Sequence, residues 1–408
     1  TDSTTWDVRW ASSDNDHQIV FELDGELEVY DTTRGARRHL AIAVPDDGVA
    51  SRPARIQVAD FIEDFELSPK GERALFVARG AVFTAPVQHG PTRNLTSSSA
   101  AHDKWARWSP DGSTIAFVSD LSGEDQLYLV AQDGSGKPRA VTSGHVGMLY
   151  APVWAADGTR LAIADKDGKL FVVVPADGKL VEVADDERGE IRDYDFSPDG
   201  QWLAFSMSDR NGSRSLWLWG AGGGKTSRVT DDAFSEYSPA WSRDGRHLYY
   251  FSDREFAPLI SDEWNYALTR TTGIFALTLA KDGPSPFPPR SDEVTTGPEK
   301  KADGAEKATK GDAARGDQAK GSEKAKDGKV ELPKVVVDLE GLASRVTRVP
   351  VDADNLSGLT VAKECLLYIR SDSNYYGRDG WTKPQLVAFD PVEREESVLA
   401  EGADGYAR

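Results

Sequence analysis

The sequence predicts an all-β fold, a β-propeller of about seven four-stranded blades. The first observation behind this is a turn motif that recurs at Trp108-Ser109-Pro110-Asp111-Gly112 and Phe196-Ser197-Pro198-Asp199-Gly200, with looser copies beginning at Leu67, Trp154 and Trp241. Their starts lie 41, 46, 42 and 45 residues apart, a period typical of propeller blades. The second is the pattern after each turn, where short apolar runs alternate with polar turns, as in Thr114-Ile115-Ala116-Phe117-Val118, Gln126-Leu127-Tyr128-Leu129-Val130 and Pro138-Arg139-Ala140-Val141-Thr142. The third is eleven Trp, twelve Tyr and fifteen Phe, side chains that suit pleated, buried surfaces.

The turn chemistry accounts for the motif. Pro presets φ at the second position of a β-turn, Asp tolerates the third and Gly takes the fourth. The aromatic before the turn anchors the inner strand. Diverged copies flank the five central ones: Gln18-Ile19-Val20-Phe21 with Leu27-Glu28-Val29-Tyr30 near the start, and Leu366-Leu367-Tyr368-Ile369 with Leu386-Val387-Ala388-Phe389 near the end. Trp10 and Leu67 are 57 residues apart, longer than any spacing within the central five. Residues 1–50 are therefore read as a first blade or as the blade of a preceding propeller. Residues 51–282 are read as propeller blades, 283–334 as an insertion, and 335–408 as the last blade and the start of the next. In the insertion, Glu299 to Gly328 is mostly Lys, Glu, Asp, Ala and Gly, with no large apolar residue. That composition predicts a disordered tether between the sixth and seventh units.

Composition excludes several classes. A formal charge of −19 repels phosphate backbones and argues against nucleic acid. The lone Cys365 allows no internal disulfide and no cysteine metal site, and reads as a buried structural thiol. No run reaches the roughly 18 apolar residues that span a bilayer, and no leader is visible, which leaves cytoplasm and periplasm both open.

The sequence offers no recognisable catalytic residue, cofactor motif or metal ligand. Gly220 to Thr226 resembles a phosphate loop, but Trp219 stands where the first glycine belongs, so a hairpin turn is expected. The six histidines form no metal-binding spacing. There is no Gly-x-Ser-x-Gly nucleophile elbow. The recurring Ser-Asp of Ser119-Asp120 and Ser252-Asp253 reads as a structural turn. The least repeat-like stretch, Asp253 to Thr272, interrupts the sixth unit between its second and third strands. Its Phe256, Trp264 and Tyr266 are candidates for a binding surface.

These repeats look like TolB-type propeller repeats. More specifically, the segments from Val58 through Leu67-Ser68-Pro69-Lys70-Gly71 and Ala74-Leu75-Phe76-Val77-Ala78 to Asn94-Leu95-Thr96, with Ser119-Asp120-Leu121-Ser122-Gly123-Glu124, Ser252-Asp253-Arg254-Glu255-Phe256 and Asn355-Leu356-Ser357-Gly358-Leu359, resemble the propeller region of tricorn-type serine proteases. The resemblance implies that the chain from about residue 51 is most of a seven-bladed second propeller. It implies PDZ-like and peptidase domains in the same parent chain, and a hydrolase active in proteolysis. It also implies a non-catalytic gate for peptides or unfolded polypeptide, with homo-oligomerisation left open. The alternatives are a stand-alone TolB-like peptide- or protein-binding module and the propeller of a prolyl-oligopeptidase-like enzyme.

Overall fold

The computed structural model describes residues 5–43, 45, 47–48, 56–98, 100–255, 258–260, 266–268, 270–290, 332–363, 365–372, 382–403 and 405–406. The chain divides into two compact units, Thr1–Gln57 and Val58–Arg408. In the first, β1 (Arg9–Ser13), β2 (Gln18–Leu23), β3 (Glu26–Asp31) and β4 (Ala36–His39) form one antiparallel sheet in sequence order.

The second unit holds six more such sheets. Blade 1 is β5 (Ile62–Leu67), β6 (Arg73–Ala78), β7 (Ala81–Pro86) and β8 (Arg93–Asn94). Blade 2 is β9 (Asp103–Trp108), β10 (Thr114–Ser119), β11 (Gln126–Ala131) and β12 (Arg139–Ala140). Blade 3 is β13 (Val153–Trp154), β14 (Leu161–Ala164), β15 (Lys169–Val174) and β16 (Lys179–Asp185). Blade 4 is β17 (Tyr194–Phe196), β18 (Trp202–Ser208), β19 (Arg214–Gly220) and β20 (Lys225–Arg228).

Blade 5 begins with β21 (Glu236–Trp241) and β22 (His247–Ser252). A two-stranded hairpin, β23 (Pro258–Ile260) and β24 (Tyr266–Leu268), comes before β25 (Gly273–Thr278). The fourth strand is β26 (Val346–Arg348), paired with β25. The sequence between β25 and β26 thus interrupts a blade, where sequence reading places the Lys/Glu/Ala/Gly tract between blades; the tract itself lies outside the described residues. Blade 6 is β27 (Asn355–Val361), β28 (Leu366–Ser371), β29 (Gln385–Asp390) and β30 (Glu395–Glu401). Seven four-stranded sheets with meander connections make the chain the all-β propeller fold that its period predicts.

The central strands read as continuous apolar runs because both faces are covered. In β10, Ile115 and Phe117 pack with Leu75, Val77 and Val82 of blade 1. The alternate residues Ala116 and Val118 pack with Leu161, Ile163 and Val173 of blade 3. Similar clusters join blades 3 and 4, 4 and 5, and 5 and 6. Each fully buried Phe, Leu or Ile contributes roughly 1.5–3 kcal/mol relative to exposure.

The turns are built alike. In blades 2, 4 and 5 the Ser hydroxyl donates to the turn Asp at 2.6 Å (Ser109–Asp111, Ser197–Asp199, Ser242–Asp244). The same hydroxyl accepts the N–H that opens the next strand, from Thr114, Trp202 and His247. The glycine adopts φ of +73°, +68° and +69° at Gly112, Gly200 and Gly245, a region an L side chain enters only with strain.

The ends of blades 1, 2 and 4 share a second device. Thr96, Thr142 and Thr230 each place a hydroxyl where a backbone carbonyl would end the ladder, accepting from the N–H of Val82, Leu127 and Leu216. The closing strand of blade 4 lies at Lys225–Arg228, where the hairpin at Gly220–Gly224 sets its register. Cys365 is half-buried in the β27–β28 turn rather than buried in the strand.

Gly200 tests the blade contact directly. A Cβ there would meet Asp157 Cγ at 3.2 Å and Ala155 Cβ at 3.3 Å in blade 3, whereas at Gly112 the nearest atom is Pro69 Cδ at 3.5 Å. Gly200→Ala is expected to cost about 1–2 kcal/mol from φ strain plus the contact, and Gly112→Ala less. Chemical denaturation of the two variants checks the order; equal losses would contradict it.

Candidate functional site: the opening between the inner strands

The innermost strands of all six blades converge on one opening of about 590 Å³. Asp64 and Glu66 reach it from β5, Arg107 from β9, Asp193 and Asp195 from the β17 edge, Ser238 from β21 and Gly358 from β27. Its described lining includes no His or Cys. What it offers a ligand is charge, hydrogen bonds and aromatic edges.

Neighbouring inner strands are stitched by side chains. Glu66 accepts the Trp108 N–H at 2.7 Å and Asp64 pairs with Arg107, which ties β5 to β9. Trp154 Nε1 donates to the Arg107 carbonyl at 3.4 Å, tying β13 to β9. Tyr194 donates its hydroxyl to the Ala151 carbonyl; burial pushes this phenol well above its ordinary pKa, so it stays a donor. Trp241 Nε1 donates to the Asp195 carbonyl at 3.0 Å, tying β21 to β17. Sequence reading assigns the pre-turn aromatic an anchoring role, and for Trp154 and Trp241 the anchor is this indole hydrogen bond.

Asp193 is the hub of the polar wall. Its carboxylate accepts from Ser206 Oγ at 2.7 Å and from the Ser238 N–H at 2.6 Å, and it faces Arg214 at 3.5 Å. Burial pushes this carboxyl up, against the pull of Arg214 and the Ser238 N–H. Ser238 can present its N–H because it sits at a β-bulge with φ +54°. Trp105 occupies the matching bulge of β9 with φ +57°. Such bulges re-aim side chains on an otherwise regular strand. Beside this wall, Arg192 lies over the Tyr150 ring at 4.4 Å.

The side chains of the sequence-predicted surface lie outside what the structure describes. Phe256 and Trp264 lie outside the described residues, and of Tyr266 only the backbone, in β24, is described. The hairpin's place between the second and third strands of its blade is as expected. Ser119-Asp120 and Ser252-Asp253 are structural: Asp120 accepts the His102 N–H, and Asp253 accepts from the hydroxyls of Tyr237 and Thr272. Gly220–Lys225 closes a hairpin. Among the described residues no His, Cys, Asp and Glu group is spaced to hold a metal, and no helix is long and apolar enough to cross a membrane. Sequence reasoning missed Asp64, Arg107 and Asp193, because charged residues next to a turn look like ordinary surface; their positions on inner strands were the available signal.

Trp241→Phe should lower stability by about 1 kcal/mol more than Trp108→Phe. The Trp241 indole N–H makes a blade-to-blade hydrogen bond, whereas the buried Trp108 Nε1 has no partner among the described residues. Thermal or urea unfolding of both variants measures the difference, and equal losses would remove the indole bond from the account.

The comparisons with known proteins agree with this architecture. The family model described as the tricorn protease second beta propeller domain matches residues 62–407. The chain is 29% identical over 415 residues to tricorn protease homolog 1 of Streptomyces coelicolor, covering 98% of this chain and 37% of that protein. It is 25% identical over 410 residues to a putative tricorn-like protease C-terminal subunit of Sulfurisphaera tokodaii, covering 100% of this chain and 42% of that protein. The crystal structure of the tricorn protease superposes with a TM-score of 0.67 at 18% identity, covering 98% of this chain and 36% of that one. The chain thus spans about two-fifths of the length of these relatives, and within that span it belongs to the tricorn protease second beta propeller family.

Proposed function

We propose that the chain is a non-catalytic gate of a tricorn-like serine peptidase, passing extended peptides and excluding folded ones. The observation that supports this best is the opening itself, formed by one strand edge from each of six blades. At about 590 Å³ it is the size of a small-ligand pocket. An extended segment fits such a space and a folded domain does not. The stitches from β5 through β21 hold these inner strands at fixed spacing, so selection is steric. The peptidase and PDZ-like domains would be supplied by other parts of the parent chain, and the substrates would be peptides or unfolded polypeptide.

Residues 1–50 are read as a blade of a preceding propeller. In support, only Phe21 and Val29 of that sheet are buried and Trp10 is 82% exposed, and a lone blade of this kind needs neighbours on both faces. In blade 1, Phe65, Phe76 and Phe83 stand opposite one another across three strands, with Phe65 49% exposed. This face suits a further blade of the same ring.

Ala151 lines the opening, so Ala151→Trp narrows it. In the longer protein that carries this chain, kcat/KM for long unstructured peptides should fall while that for short chromogenic ones is kept. An equal fall for both, with unchanged melting temperature, would refute steric gating. The 408-residue chain itself should not turn over fluorogenic peptides nor be labelled by a serine-reactive phosphonate. Turnover that is lost on mutating one of its own residues would overturn the non-catalytic reading.

A further inference from the structure

Away from the inner opening, a pocket of about 260 Å³ lies where β9 begins and β10 ends in blade 2. Asp103 lines it, is 1% exposed, and has an Oδ2 with no hydrogen-bond partner among the described residues. Phe117 and Tyr128 form an aromatic wall, their rings stacked with centroids 5.8 Å apart. Leu121 and the exposed Lys137 complete the rim, and no hydrogen bond from Lys137 reaches Oδ2. A buried carboxylate oxygen left without a donor is costly unless a ligand supplies one.

Blade 5 contains the same arrangement with its occupant present. Asp103 pairs with Ser119 across β9 and β10, and Glu236 pairs with Ser252 across β21 and β22. Phe117 faces Tyr128, and Tyr250 faces Phe275 in the same register. Two residues beyond the serine, blade 5 has Arg254 and blade 2 has Leu121. The Arg254 guanidinium lies 4.3 Å over the Phe275 ring, donates to Ser252 Oγ at 2.9 Å and pairs with Glu236. Blade 2 keeps the carboxylate, the serine and the aromatic pair, but a leucine stands where the guanidinium would be.

We propose that the blade 2 pocket is a binding site for a guanidinium group, carried either by a free guanidine or by an arginine side chain of a polypeptide. The planar cation would stack on Tyr128 as Arg254 stacks on Phe275, and donate to Asp103 as Arg254 donates to Glu236. Burial pushes the Asp103 carboxyl up, against the pull of the Ser119 and Thr96 hydroxyls, and a bound cation would favour its ionised form. The site does not involve the inner opening, so its failure would leave the gating proposal standing.

The test is calorimetric titration of the purified chain with methylguanidinium, with an acetylated arginine tripeptide amide, and with the same tripeptide carrying citrulline. The two guanidinium probes should differ from citrulline, which has the shape without the charge. Binding of methylguanidinium comparable to that of the peptide identifies a free guanidine as sufficient; markedly tighter peptide binding identifies a polypeptide ligand. Asp103→Asn should weaken binding by about tenfold or more. Leu121→Arg, at a position 50% exposed, should place the chain's own guanidinium in the pocket, abolish binding and raise the melting temperature. This second variant decides the matter if Asp103→Asn fails to fold. Equal affinity for arginine and citrulline, no binding of either guanidinium probe, or undiminished binding by folded Leu121→Arg would each overturn the proposal.

Discussion

A four-stranded antiparallel sheet with apolar residues on both faces cannot stand alone in water, and the Val58–Arg408 unit is organised around that constraint. In β10 the alternation sends Ile115 and Phe117 one way and Ala116 and Val118 the other. A slip of one residue would exchange the two sets and destroy both interfaces at once. The register is therefore fixed by the neighbours as much as by the strand itself. The turn Ser and Asp then fix it again from the end, through the hydroxyl that joins Ser109 to Asp111 and to the Thr114 N–H.

That division of labour leaves the inner strands free to carry polar groups. Blade contacts bury the second and third strands, while the first strand borders the opening. Its carboxylates and indoles satisfy backbone groups of the adjacent blade, as Glu66 does for Trp108 and Trp241 for Asp195. A polar group with a fixed partner at each junction costs little to bury. The bulges at Trp105 and Ser238 belong to the same plan, since they turn a strand N–H or side chain out of the ladder. The Ser238 N–H reaches Asp193 by this route.

Most of the fold is legible because its determinants are local and repeated. Pro198-Asp199-Gly200 declares a turn by itself, and two strict and three looser copies at near-constant spacing declare blades. The Arg228-Val229-Thr230 ending reads as a strand, although the paired part is Lys225–Arg228 and Thr230 acts through its hydroxyl. Backbone and hydroxyl acceptors look alike in a sequence. The return of the chain at Val346–Arg348 to complete blade 5 is not legible, because a two- or three-residue strand after a long insertion has no periodicity to detect. The lining of the opening is equally silent. Asp64, Arg107 and Asp193 become neighbours only when residues more than forty positions apart are brought together by the stacking of blades.

Repetition also makes the molecule its own control. The blades share a backbone plan, so a difference between two of them at one register position isolates what a side chain does. Position by position, blade 5 uses Arg254 to hold Glu236 beneath Phe275, and blade 2 keeps Asp103 with a leucine in the arginine's place. If the carboxylate served only to cap the strand, the loss of the arginine would leave an uncompensated desolvation cost, which an Asn or a Ser in its place would avoid. The retention of Asp103, at 1% exposure and with one oxygen unbonded among the described residues, is what the proposed guanidinium would compensate. The same comparison separates scaffold from site elsewhere. Features present in several blades, such as the turn Ser–Asp pair, hold the ring. Glu236 keeps one oxygen unbonded among the described residues even beside Arg254, so what distinguishes blade 2 is the missing cation over its aromatic pair, and that is where it can bind something.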